Sequence, residues 1–370
     1  MIKFDLEYYK NSKPYFYFFD TYIKQTDINK EKLLYDLGVN YSSYRRCREK
    51  EQKVGKIIIK QLSDYFKIKR VENEFLDDLS IYLTSLYEKL YYKIYDTFEK
   101  DEKYINDLIN QNLIINPILL LFKLFLTVNS KKSVKNVYFE NIDMFNKVKK
   151  YSSFFTKELH EILSLLALFF ERDSSECEWT DNFNNPLAFQ ILSSKNYNEK
   201  KYIESIFYAY KAQDILLSDF NYRRMINLNQ TIISSLLYIG NYSECLTIVN
   251  KQITCLKSFN LYEFEFRSAS ISYVVALLGL NKYDEVITLL RDKCDYDMTE
   301  LTCYLIALFK SNKQKYKHYF SEEIDLTTND DVSEYFKLLN YFLNHRDKKI
   351  INSLIKYQIP GYMINIFKKV

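Results

Sequence analysis

The sequence predicts an all-α chain, a small N-terminal bundle joined to a longer array of helix pairs, and three observations carry that prediction. The 370 residues include only 5 glycines and 4 prolines, far below the combined share of about a tenth in ordinary domains. Sandwiches and nucleotide-cradling α/β folds need those residues in their turns; helices do not. Apolar residues recur at helical spacing in segment after segment. Similar segments also open on Tyr202, Tyr242 and Tyr283, spaced by 40 and 41 residues.

Length and charge set the organisation. A chain of 370 residues holds more than one core, so a small module and a larger body are expected. Residues 1–70 hold 16 Lys+Arg against 9 Asp+Glu, a net of +7, whereas the remaining 300 hold 36 against 39, a net of −3. The basic surplus lies in the N-terminal fifth and predicts a polyanion partner there. The 35 tyrosines are read as codon bias of an AT-rich genome. "MIKFDLEYYK" has no apolar signal core, and "LIINPILLLFKLFLTV" is broken by Pro117 and Lys123 and is too short to span a bilayer. A soluble, cytoplasmic protein with no membrane partner is expected.

The N-terminal elements follow in order. "KPYFYFFDTYIKQT" sets Tyr15, Phe18, Phe19 and Tyr22 at helical spacing behind Pro14, a residue suited to a first helical turn, and predicts a buried aromatic helix. "TDINKEKLLYDLG" puts Leu33, Leu34 and Leu37 on one face of a second helix. Gly38 supplies the positive φ that ends it, and Val39 plugs back into the core. Asn40 is an N-cap for a short third helix, "YSSYRRCRE". "VGKIIIKQLSDYFKIK" then spaces Ile58, Leu62 and Phe66 at i, i+4 and i+8 and closes a bundle over residues 1–70.

Helix, glycine turn and short basic helix make up the helix-turn-helix order, in which the second helix enters the DNA major groove. "LLYDLGVNYSSY" resembles the Cro/repressor (Xre-like) helix-turn-helix. It departs from that pattern at Leu34, where a small Ala is usual, in lacking a Gln near the start of the second helix, and in its aromatic first helix. By register Tyr41, Ser42, Arg45 and Arg46 face base edges while Tyr44 packs inward. Arg48, Lys50, Lys53 and Lys56 are placed for phosphates, which set affinity and register without reading sequence.

Residues 71–370 read as successive amphipathic helices, clearest as repeats over 186–320. "KKYIESIFYAYKAQDIL", "GNYSECLTIVNKQI" and "NKYDEVITLLRDK" each open on a tyrosine with Ser205, Cys245 or Val286 three positions later, and "QKYKHYFSEE" is a weaker fourth at Tyr316. Long helices precede two of these tyrosines, with Gly240 and Gly279 near the turn. Such helix pairs resemble the tetratricopeptide repeat, lengthened beyond its usual period of about 34 residues, and imply a superhelix with a concave, peptide-holding face. Residues 71–180 read as diverged repeats, Glu171–Pro186 as a polar loop, and 333–370 as capping helices or a dimer contact. In the tetratricopeptide pattern, with Gly240 as the turn glycine, Asn227, Gln230 and Ser234 line the groove, their amides suited to clamp an extended backbone. Arg223, Arg267 and Ser268 extend that stripe toward an acidic or carboxylate group.

Enzyme chemistry is not expected. His160, His318 and His345 stand far apart, the six cysteines form no CxxC pair, and no phosphate loop or nucleophile elbow occurs, so no catalytic residue, metal or cofactor is predicted. The two halves together resemble the RRNPP group of Gram-positive peptide-pheromone receptors and the related phage arbitrium receptors. That resemblance implies a cytoplasmic, homodimeric transcriptional regulator that binds an operator in double-stranded DNA and a short imported peptide. The competing expectation is a helical-repeat scaffold that sequesters a partner protein without touching DNA.

Overall fold

The computed structural model describes every residue except 1, 27, 50–55, 95, 130–133, 172–184, 258–262, 294, 295, 325–329 and 358, and the backbone alone for 47–49, 134 and 135. The described residues are helical nearly throughout and contain no strand, an all-α fold with helical repeats. The chain divides into two compact units, Met1–Ile191 and Leu192–Val370.

In the first unit α1 (Ser12–Lys24), α2 (Lys30–Asp36), α3 (Tyr41–Glu49) and α4 (Lys56–Phe66) form the N-terminal bundle. The buried face of α4 is centred on Ile59, Leu62 and Ser63, with Ile58 only half-buried. The face is thus one residue off the Ile58–Leu62–Phe66 row, although Phe66 still meets Tyr22 edge-on at 5.0 Å. α1 buries Tyr15, Phe16, Phe18, Phe19 and Ile23, more aromatic surface than three short helices can cover. The excess is met by later segments. Phe18 stacks on Tyr151 at 5.6 Å, the Tyr9 hydroxyl donates to the Phe154 carbonyl at 2.7 Å, and Phe4 packs edge-on against Phe122 at 5.0 Å. The boundary at residue 70 is therefore one of pattern rather than packing, and the unit closes only at 191.

α5 (Asn73–Tyr91), α6 (Phe98–Ile109), α7 (Asn116–Val128), α8 (Val134–Lys149) and α9 (Lys157–Phe170) complete that unit. α7 packs against α6, α8 and α9 together, which is why its sequence is apolar on nearly every side. Among the described residues no helix is long and apolar enough to cross a membrane. Most of the polar loop expected over 171–186 lies outside the described residues.

The second unit holds most of α10 (Pro186–Asn198), then α11 (Tyr202–Ser218), α12 (Tyr222–Ile239), α13 (Tyr242–Lys257), α14 (Glu263–Gly279), α15 (Tyr283–Leu290), α16 (Met298–Ser311) and α17 (Lys313–Glu322). From α11 to α17 each helix packs on the next, and α12 also touches α14 as α14 touches α16, so the first helices of consecutive pairs stand side by side. Small residues let each pair close up: the Ser193 and Ser205 hydroxyls each donate to the other's carbonyl at 2.9 Å, and buried Cys245 faces the Ile233 carbonyl at the same place one repeat on. The repeated tyrosine has a physical role in this stack. Tyr202 lies flat on Tyr238 at the end of the next first helix, with centroids 4.5 Å apart, and Tyr242 lies against Gly279 at the end of the one after. Gly240 ends α12 at φ +77°, whereas Gly279 is helical and the left-handed residue after α14 is Asn281. α18 (Asp331–His345), α19 (Ile351–Leu354) and α20 (Met363–Lys369) follow, and α20 runs back over the first helices. There the Asn365 amide donates to the Leu237 and Tyr238 carbonyls at 3.3 and 2.7 Å, and Lys369 to the Gly279 carbonyl at 3.2 Å, supplying donors to helix ends that lack them.

Candidate nucleic-acid interface and repeat groove

The turn between α2 and α3 is set residue by residue. Asn29 caps α2 by accepting from the Lys32 amide at 3.1 Å, and Leu33 and Leu34 bury the inner face. Gly38 takes φ +66°, its N–H donates to the Tyr35 carbonyl at 2.9 Å, and the Val39 N–H donates to the Leu34 carbonyl at 2.8 Å. That closes the helix in the left-handed manner that favours glycine. The Asn40 carboxamide oxygen then accepts from the Ser42 amide at 2.9 Å and the Ser42 hydroxyl at 2.6 Å, starting α3. Gln61 of α4 braces the turn by donating to the Leu37 carbonyl at 3.0 Å.

α3 has two chemically distinct sides. Tyr44 is fully buried, tilted on Phe16 at 4.6 Å, and its hydroxyl donates to the Asp20 carboxylate at 3.2 Å. Lys24 and Lys30 pair with the same carboxylate at 2.7 and 2.6 Å, and the Lys30 ammonium lies 4.3 Å from the centre of the Tyr44 ring. One carboxylate thus ties α1, α2 and α3 together. Burial pushes the Asp20 pKa up, but the hydrogen bonds and charges of Lys24 and Lys30 outweigh it and hold the group below its ordinary value. On the opposite side Tyr41, Ser42, Arg45 and Arg46 are all exposed. The Ser42 hydroxyl proton is already given to Asn40, which leaves its oxygen lone pairs to accept. Lys56 is exposed at the start of α4; the Arg48 side chain, Lys50 and Lys53 lie outside the described residues. Asp20, Lys30 and Gln61 were not foreseen as parts of this site. Asp20 was detectable in principle, as the single acid inside the aromatic stretch Tyr15–Tyr22 with Lys24 one turn on.

In the repeat unit the expected stripe is only partly assembled. Asn227 is half-buried and its amide donates back to the Arg223 carbonyl at 3.2 Å, while Arg223 itself is exposed. Gln230 is half-buried, and its side-chain oxygen is fully covered with no hydrogen-bond partner among the described residues. Ser234 is engaged by Tyr197, whose pKa burial raises to about 12. By the 41-residue spacing of Tyr242 and Tyr283, Ser268 on α14 matches Asn227, but Arg267 matches the buried Ile226 and falls one position off the row. Tyr238, one turn beyond Ser234, was not anticipated; it carries the Tyr202 stack and meets Tyr362 edge-on at 5.6 Å.

Among the described residues no group of His, Cys, Asp or Glu side chains is arranged to hold a metal ion. Cys245 is buried, and desolvation raises its thiol pKa to about 12, so it stays protonated and inert at neutral pH. No family model, curated protein or solved structure matches the chain.

Proposed function

We propose that the chain is an intracellular DNA-binding transcriptional regulator, with α3 reading the major groove and the repeat unit taking a short peptide that alters DNA binding. The observation that carries the first half is the two-sided chemistry of α3. Its inner residue is fixed by Asp20, and its outer row offers two guanidiniums, a hydroxyl oxygen and an aromatic ring. Arginine is the commonest specific reader of guanine edges, and the surrounding N-terminal fifth carries a net charge of +7 suited to phosphate. Fluorescence anisotropy of the full chain with its own upstream duplex and with a scrambled duplex, at low and physiological salt, tests this. A salt-sensitive preference for the native fragment is expected, lost in Arg45→Ala with Arg46→Ala while the thermal unfolding curve stays unchanged. Equal binding of both duplexes, or none at low salt, would reject the DNA reading and leave a protein-interaction scaffold.

The peptide half is supported by the half-buried amides of Gln230 and Asn227, one turn apart on α12, which pair donor with acceptor as an extended backbone lying across that helix requires. Asn227, three residues earlier and half-buried, can clamp the same strand. Asn227→Ala is expected to weaken the effect of an added peptide on DNA binding without changing binding in its absence, and a normal dose response would reject this placement.

A further inference from the structure

The polarity of one hydroxyl on α3 is fixed by the residue that starts the helix. The Asn40 carboxamide oxygen accepts from the Ser42 backbone N–H at 2.9 Å, as an N-cap does. A carboxamide nitrogen cannot accept, so this bond settles which end of Asn40 faces the helix. The Ser42 hydroxyl lies 2.6 Å from the same oxygen, which carries no proton, so the hydroxyl is the donor of that contact. A serine hydroxyl has one proton and two lone pairs. With its proton held by Asn40, the exposed Ser42 meets a partner outside the helix only as an acceptor. Arg45 and Arg46, three and four residues on and also exposed, carry N–H donors only. The outer side of α3 thus sets an acceptor at its start and donors beyond it.

We propose that Ser42 determines specificity by accepting from the exocyclic amino group of adenine or cytosine, with Asn40 as the positioning residue that sets this preference. The inference rests on the DNA reading of α3 and names the base chemistry read there. In the major groove adenine N6 and cytosine N4 are amino donors, whereas guanine O6 and N7 and thymine O4 are acceptors. A hydroxyl free to rotate satisfies either class and discriminates little. One whose proton is committed favours the amino bases, because opposite a carbonyl oxygen it must either abandon Asn40 or leave lone pairs facing each other. The Arg45 guanidinium has the opposite preference, for the guanine acceptors. The base pairs met by Ser42 and by Arg45 therefore differ in class, and a single capping oxygen both starts the helix and orients its first reader.

Duplexes enriched from a random pool by the full chain, then measured by fluorescence anisotropy, test the proposal. One base pair of the enriched duplex is expected to carry an adenine or cytosine whose amino group matters. Replacing that base by purine or a pyrimidinone, which lack the group, should weaken wild-type binding by about 3- to 10-fold, the worth of one hydrogen bond. Ser42→Ala should bind the two duplexes equally. Asn40→Gly keeps a residue suited to the cap but releases the hydroxyl proton, so guanine or thymine at that position should bind about as well as the original base. Asn40→Asp keeps an accepting oxygen and should retain the wild-type preference at lower overall affinity. A cap that acted only on helix stability would weaken every duplex alike and leave these ratios unchanged. An enriched duplex with no amino group whose loss Ser42→Ala ignores, or Asn40→Gly ratios identical to wild type, overturns the inference while the DNA reading stands. A pool that enriches no duplex at low salt overturns both.

Discussion

Gly279→Ala probes whether the tyrosine that opens each second helix is what locks one repeat to the next. Gly279 is the last residue of α14 and its backbone is helical, so the substitution by itself would gain about 0.5–1 kcal/mol of helix propensity. The space is not there. A Cβ at 279 would sit 2.5 Å from Cγ and Cδ1 and 2.6 Å from Cε1 of Tyr242, where ordinary contact needs about 3.5 Å, so the ring must withdraw by about 1 Å. Tyr242 is 3% exposed and is held at the first turn of α13, with the Lys369 ammonium 4.3 Å from its centroid. It cannot withdraw without moving α13 or detaching Lys369 from the Gly279 carbonyl. Overpacking of this kind costs about 1–3 kcal/mol, so the net loss should be about 1–2 kcal/mol. Gly240→Ala is the control: at φ +77° with nothing nearer than 3.8 Å, it should cost about 1 kcal/mol through the backbone alone. Urea unfolding followed by circular dichroism gives both values, and amide exchange should place the Gly279→Ala loss at α13, α14 and α20. A Gly279→Ala midpoint at or above wild type would refute the packing argument.

Three further outcomes are expected. Lys56→Ala should weaken binding to native and scrambled duplexes alike and make the slope of log affinity against log salt shallower by about 0.9, as for one lost phosphate contact; an unchanged slope removes Lys56 from that set. Gln230→Met keeps the volume but removes the covered, unpartnered oxygen, so the peptide-free chain should gain up to about 1 kcal/mol, and a loss would mean that this oxygen is satisfied after all. Asp20 has a pKa held below its ordinary value, so its pairing contributes stability above the unfolded carboxyl pKa of about 4 and loses it as pH falls through the lower folded value. Asp20→Asn should therefore lower the unfolding midpoint at neutral pH, with the gap from wild type closing in acid; a gap constant across that window would rule out the charge as the stabilising feature.

The turn between α2 and α3 was legible because its signals are local. Gly38, Val39 and Asn40 each act on backbone groups within a few residues, and the structure gives them the turn, plug and cap that their chemistry implies. The outward row of α3 follows from the same register once Tyr44 is known to face in. What the sequence concealed was long-range. Asp20 reads as one acid on an aromatic helix until α3 brings the Tyr44 hydroxyl to it from 24 positions away. A buried carboxylate paired with two ammoniums is a weak source of net stability compared with an apolar core, but it accepts few arrangements of its partners. Here that restriction acts on the angle at which α3 leaves the turn.

The repeats show why one half of the chain announced its packing and the other did not. In the second unit each pair makes its essential contact with the next pair at nearly constant sequence distance: Tyr202 reaches Tyr238, and Tyr242 reaches Gly279. A contact recurring at fixed separation leaves a period in the sequence. The side chains expected to line a groove take no part in that recurring contact, so nothing in the period constrains them. Hence Ser234 could be taken up by Tyr197, and Arg267 could fall off the row, without disturbing the repeat. In the first unit α7 is surrounded by α6, α8 and α9, and α1 reaches forward to Tyr151 and Phe154. Those contacts span unequal distances and bury whole helices instead of matched faces, so residues 71–180 show apolarity without period.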